Sequence, residues 1–264
     1  MLKHRLVAVI IVREDQVVQS VRFKHTNVIH YDAIHAVEAF NAWDIDELVL
    51  LNVSRNAESR EIFLKVVESA SRYCFVPLAA GGWIEDDGYA SRLLRSGADK
   101  LVINTALADN PALVTRLSDK YGAQCIVASI DVKHSANGEA SVVIDRGCRD
   151  TGQSPAAWAK QAEALGAGEI FFNSVDHDGA RQGYDLTSLK AVCEAVSVPV
   201  IAFGGVFTWQ HLLDGIEAGA DAVAAANIFH YTEHSTKKAK IYLLEHGVNV
   251  RRIGNLQPIR NNAN

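Results

Sequence analysis

Residues 76–82 read Val76-Pro77-Leu78-Ala79-Ala80-Gly81-Gly82, and 122 positions later the chain repeats the device as Val198-Pro199-Val200-Ile201-Ala202-Phe203-Gly204-Gly205. Each stretch is an apolar run of strand length, opened by Val-Pro and closed by Gly-Gly. The same offset relates Asp46-Glu47-Leu48-Val49 to Gly168-Glu169-Ile170-Phe171, and Gly97-Ala98-Asp99 to Gly219-Ala220-Asp221. Ordered matches at one spacing mark an internal repeat. The chain therefore reads as two like halves, about 1–122 and 123–264.

Outward from these stretches, apolar runs at 6–12, 47–53, 76–80, 100–104, 125–132, 169–175, 200–203 and 222–226 alternate with helical patterns. Asp86-Asp87, Asn110-Pro111 and Ser154-Pro155 are helix-start signals. Runs that are apolar throughout belong to strands buried on both faces, which is the condition of a parallel sheet with helical crossovers. Eight strand–helix units close into a (β/α)8 TIM barrel of the α/β class, one domain over 1–264 with an internal half-barrel duplication. Two segments break the pattern. Gln19 to His30 reads as a long loop after the first strand, whose Arg22, Lys24 and His25 could close over an anion. Lys133 to Gly152 reads as an insertion after the fifth strand, with a hairpin at Asn137-Gly138.

Composition narrows the functions. A chain of 264 residues with 48% hydrophobic residues and only 5 Pro builds a large core, which excludes a disordered or fibrous protein. A formal charge of −5 supplies no basic surplus for a nucleic-acid backbone. Cys74, Cys125, Cys148 and Cys193 lack metal-type spacing and fit a reduced, cytoplasmic compartment. His25, His30 and His35 share no helical face, and His230 and His234 lack a carboxylate at ligand spacing, so neither a metal nor a cofactor is expected. The start Met1 to Arg5 leads only into Leu6–Val12, too short for a signal core or a membrane span.

Active sites of parallel barrels lie where the strands end. Gly81-Gly82 and Gly204-Gly205, with Asn104-Thr105 and Ala226-Asn227 beside them, form two candidate nests of backbone N–H groups on opposite sides of the mouth, suited to a ligand with a phosphate at each end. Asp131 ends the fifth strand as a candidate general acid or base. After the sixth strand come Asp176, a second candidate, and Gly179, a further phosphate-binding turn; Asp178 reads rather as a loop-capping carboxylate. Aligning Ala8–Arg13 on Ala128–Lys133 sets Ile11 where the partner of Asp131 would stand, so half of a carboxylate pair is missing. At the strand starts sit Arg5, Glu47, Lys100 and Glu169, two cations and two anions. Brought together, they would form a paired plug that a small neutral molecule could pass; apart, they are a solvated rim.

Taken together, Gly97-Ala98-Asp99-Lys100, Ile103-Asn104-Thr105-Ala106, Ser129-Ile130-Asp131, Ser174 to Gly179 with Gly183-Tyr184-Asp185, and the tail His246 to Arg251 resemble the HisF family, the cyclase subunits of imidazole glycerol phosphate synthase. The resemblance implies a barrel that receives ammonia from a glutaminase subunit on its N-terminal face, through a gate matching Arg5, Glu47, Lys100 and Glu169, and consumes it at the opposite face on a bis-phosphorylated small molecule. Departures fall in the chemistry. Ile11 replaces one of the family's two catalytic Asp residues, Asn52 replaces another Asp, Gln19 a loop Lys, Trp83 a phosphate-site Gly, and a Ser near Val102 is gone. This pattern resembles the HisF-like paralogues that supply ammonia to a separate sugar amidotransferase, for acetamidino-sugar formation in surface polysaccharide. The alternatives are a carbon–nitrogen lyase and cyclase of histidine biosynthesis, and a scaffold without catalysis that activates a glutaminase.

Overall fold

The computed structural model describes residues 3–252; the chain start Met1-Leu2 and the last twelve positions of the 1–264 span lie outside the described residues. Eight parallel strands close on themselves: β1 (Arg5–Arg13), β2 (Glu47–Asn52), β3 (Leu78–Gly81), β4 (Lys100–Ile103), β5 (Ile126–His134), β6 (Glu169–Ser174), β7 (Val200–Phe203) and β8 (Ala222–Ala225). Each pairs with the next, and closure comes where Arg5, Leu6, Val7 and Ala8 stand beside Ala222, Val223, Ala224 and Ala225. The expected TIM barrel is thus borne out, with strand ends moved by one or two residues.

A main helix follows each strand: α1 (Ala33–Ala42), α2 (Ser59–Ser71), α3 (Asp87–Arg95), α4 (Pro111–Tyr121), α5 (Pro155–Ala164), α6 (Leu186–Cys193), α7 (Trp209–Glu217) and α8 (Ser235–Glu245), with short helical turns at Ala106–Asp109 and Asn227–Tyr231 before α4 and α8. The start signals do local work. Asp86 accepts the Tyr89 N–H at 2.8 Å, Pro111 stands in the first turn of α4, and Ser154 accepts the Ala157 N–H at 3.4 Å.

Because each strand is buried on both faces, two apolar layers result. The outer one, with Leu6, Ile10, Leu48, Phe172 and Val200, packs under the helices; the inner one, with Val7, Val9, Val49, Val127, Phe171 and Ile201, fills the barrel. Residues matched at the 122 offset also carry the same local bonds. Asp99 Oδ2 accepts the Leu78 N–H at 2.8 Å, and Asp221 Oδ2 accepts the Val200 N–H at 2.9 Å. Gly97 and Gly219 both take the left-handed conformation, at φ 107° and 108°.

The Gln19–His30 segment is not a loop. Gln16–Val21 and His25–His30 form an antiparallel hairpin continued from β1, so His25 and His30 lie on a strand. Its turn places Arg22 and Phe23 at φ 51° and 59°, a conformation usually given to Gly or Asn, and the sequence therefore carries no turn signal there. The Lys133–Gly152 insertion is a hairpin as expected, β5 pairing with Ala140–Ile144 around Gly138 at φ 84°.

Candidate functional site

At the N-terminal end, the four charges at the strand starts converge into a closed ring. Arg5 bonds Glu47 at 2.5 Å and also Glu169; Lys100 Nζ bonds Glu47 Oε1 at 2.7 Å and Glu169 Oε2 at 2.8 Å. Each carboxylate gives one oxygen to the guanidinium and the other to the ammonium. Glu47 and Glu169 are buried, at 1% and 4% exposure, so the solvated-rim reading fails. Burial opposes charge on Arg5 and Lys100, yet the two carboxylates outweigh it and hold both cations' pKa above the ordinary values.

At the opposite end, Asp131 is buried between two amides. Asn173 Nδ2 donates to its Oδ1 at 3.0 Å and Asn104 Nδ2 to its Oδ2 at 3.2 Å. Burial pushes the Asp131 carboxyl up to about 7; the Asn173 amide opposes the shift, and Asp178 adds to it. A group titrating there suits proton transfer at neutral pH. Ile11, 5% exposed, sits in the inner apolar layer beside Leu51 of β2. Asn173 was missed by the sequence reading; its signal was an amide directly after the apolar Ile170, Phe171 and Phe172 of β6, and its own Oδ1 is buried without a partner.

The two nests differ. Gly179, Gly204, Gly205, Ala226 and Asn227 line one pocket of about 510 Å³, together with Gln19, Arg181 and Lys238. Among the described residues, the N–H groups of Gly179, Gly205 and Val206 donate to no protein acceptor, and Asn227 Oδ1 is buried and unpartnered. Gly81, Gly82, Asn104 and Thr105 stand on the other side of the mouth. There Thr105 Oγ1 accepts the Asp145 N–H of the insertion at 3.1 Å, and a Cβ on Gly81 would lie 2.6 Å from the Val102 Cβ, so close strand packing already accounts for that glycine.

Asp176 is not among the residues lining the pocket of Gly204 and Gly205; its Oδ2 accepts the His134 N–H at 2.7 Å, a bond that joins the β5 and β6 ends. Asp178 accepts from Ser20 Oγ at 2.6 Å and from the Phe23 N–H at 3.3 Å, and so anchors the β1 hairpin, in keeping with its reading as a loop cap. Gln19 receives the Tyr231 hydroxyl at 3.1 Å. His230 packs its ring against His30 and Phe40, at 5.5 and 5.1 Å between centroids, and burial lowers its pKa to about 4, so it is a neutral packing residue. Among the described residues no group of His, Cys, Asp and Glu could hold a metal ion, and no helix is long and apolar enough to cross a membrane.

The sequence was also compared with known protein families. Residues 5–235 match the family described as histidine biosynthesis protein, which is most of the chain and includes every strand of the barrel.

Proposed function

Given that the chain belongs to the histidine biosynthesis protein family, whose barrels include the HisF and HisA types, we propose that it is a HisF-like synthase subunit of a glutamine amidotransferase. It takes ammonia from a glutaminase partner on its N-terminal face and passes it to the mouth, for acetamidino-sugar formation completed by a separate amidotransferase. The observation that carries this reading is the closed ring Arg5–Glu47–Lys100–Glu169 at one end of a barrel whose other end holds Asp131 with the apolar Ile11 at the matched position of β1. Burying four charges costs free energy that apolar residues at the same places would not. A barrel with no traffic at its base has no use for them.

The physics of the passage favours ammonia over ammonium. Above the ring the barrel interior is packed with Val7, Val49, Ala79, Val127 and Phe171, an apolar layer that a neutral molecule crosses without the loss of hydration an ion would suffer. Phe75, 85% exposed in the loop that enters β3, offers an apolar anchor on the same face.

One observation favours the alternative, a cyclase of histidine biosynthesis: Asp131 is placed and poised as a general acid or base. Against it, Ile11 cannot move a proton, and loss of one acid–base group costs about 10²–10⁴-fold in rate. The deciding experiment is a glutaminase pull-down and activity assay with wild type, Lys100→Ala and Glu169→Ala, run beside a cyclisation assay on the bis-phosphorylated intermediate with ammonium salts. Partner binding with ammonia delivery impaired in both variants, and no cyclisation, is expected. Turnover at an ordinary enzymatic rate would establish the cyclase instead, and absence of any glutaminase binding would end the amidotransferase reading.

A further inference from the structure

The mouth has two matched halves, and one of them lines the pocket of about 510 Å³ described above. At the 122 offset Gly82 corresponds to Gly204, and the next pair is Trp83 and Gly205, both left-handed at φ 61° and 93°. A tryptophan in that region is strained, and such strain persists only where its surroundings hold it. They do so here. The indole Nε1 donates to the Ser54 carbonyl at 2.8 Å, Arg60 Nη2 bonds the Trp83 carbonyl at 2.9 Å, and the Arg146 guanidinium lies 5.8 Å from the ring centroid. The indole is therefore held between the loop after β2 and the turn at 145–148 that closes the β5 insertion.

The side chains that follow β4 and β8 also differ. In the first half Thr105 is taken up by Asp145, whereas its counterpart Asn227 keeps a buried, unpartnered Oδ1 beside the open pocket. That pocket carries Arg181 and Lys238, with the Arg181 guanidinium 4.8 Å from the Phe207 ring. On the first-half side, Arg146 of the second-half insertion is instead engaged by the indole and by Asp145.

We propose that Trp83 sets the specificity of the mouth: it withdraws the first-half cradle from anion binding, so the barrel takes ligands with a single phosphoryl end and an otherwise uncharged body, and does not favour those phosphorylated at both ends. This deepens the reading of the mouth as the ligand site and is independent of the glutaminase partnership, whose failure would show in the pull-down alone.

The test is calorimetric titration of the whole chain with ribose 5-phosphate and ribulose 1,5-bisphosphate, for wild type, Trp83→Gly and Trp83→Asn, two residues that accept a positive φ. Wild type should bind the bisphosphate less than tenfold tighter than the monophosphate, and either folded variant should raise that ratio at least fivefold. A wild-type ratio of tenfold or more, a smaller rise in the variants, or no wild-type binding of either sugar phosphate would overturn the proposal. Should both variants fail to fold, the wild-type ratio decides.

Discussion

At the scale of single residues, Asp131 ties stability to pH in a definite direction. Its carboxyl is ordinary in the unfolded chain and lifted to about 7 in the fold by burial, so between those values the folded state holds the proton that the unfolded state has lost. Stability from this group is full below the unfolded pKa and falls as pH rises through about 7. Asp131→Asn should therefore stabilise the protein more at pH 8 than at pH 5, by about 2–3 kcal/mol, as read by denaturant unfolding at the two pH values; an equal gain at both would place the titration elsewhere. Lys100→Ala acts oppositely. It leaves Glu47 and Glu169 to share Arg5 alone, and should cost about 3 kcal/mol, the low end for a broken buried pair because Arg5 and Lys100 keep some solvent contact. Asp131 and the ring residues could be found from sequence because charge stands out in apolar strands. Asn173 could not be ranked, since nothing local tells an amide that holds a carboxylate from one that faces water.

At the scale of elements, the strands and helices of the barrel were readable because unbroken apolar runs and caps are local signals. The β1 hairpin was not, because its turn is made by Arg22 and Phe23 at positive φ where Gly or Asn would have announced it. What holds that hairpin is distant in sequence: Ser20 and Phe23 on Asp178, and the Tyr231 hydroxyl on Gln19. Asp178→Ala should thus loosen 16–30 selectively. Amide hydrogen exchange is expected to speed at least tenfold across the hairpin while β5 and β6 stay protected; uniform acceleration would mean that Asp178 supports the barrel itself. The last helix is bound by another long-range clasp. Lys240, fully buried on α8, bonds Asp46 Oδ1 and the Asp44 carbonyl, both at 2.5 Å, and Arg251 bonds the same carboxylate at 2.7 Å.

For the whole molecule, closure of the barrel followed from counting strand–helix units, whereas the difference between the two nests required the positions of Trp83 and of the turn at Asp145, which only the folded chain brings together. The N-terminal face holds the ring, the exposed Phe75 and, close by, the end of the described tail, where the His4 N–H bonds the Asn249 carbonyl at 2.9 Å. If a glutaminase docks here, Phe75→Ala should weaken its association about tenfold, more than most interface residues do, with the melting temperature of the free barrel unchanged. Surface plasmon resonance with the purified partner measures this, and undiminished affinity would move the contact off this loop.

The charge ring also has a consequence for how the chain assembles. Three of its members, Arg5, Glu47 and Lys100, come from the first 122 residues and only Glu169 from the remainder. A segment ending at residue 122 would carry an excess cation at its base, and its complement a lone buried anion. Neither is at rest electrically until they meet. Severed between the halves and produced together, the pieces should recombine into one barrel, and Glu169→Gln in the second piece should slow or abolish that recombination, because it removes the only counter-charge the second half contributes.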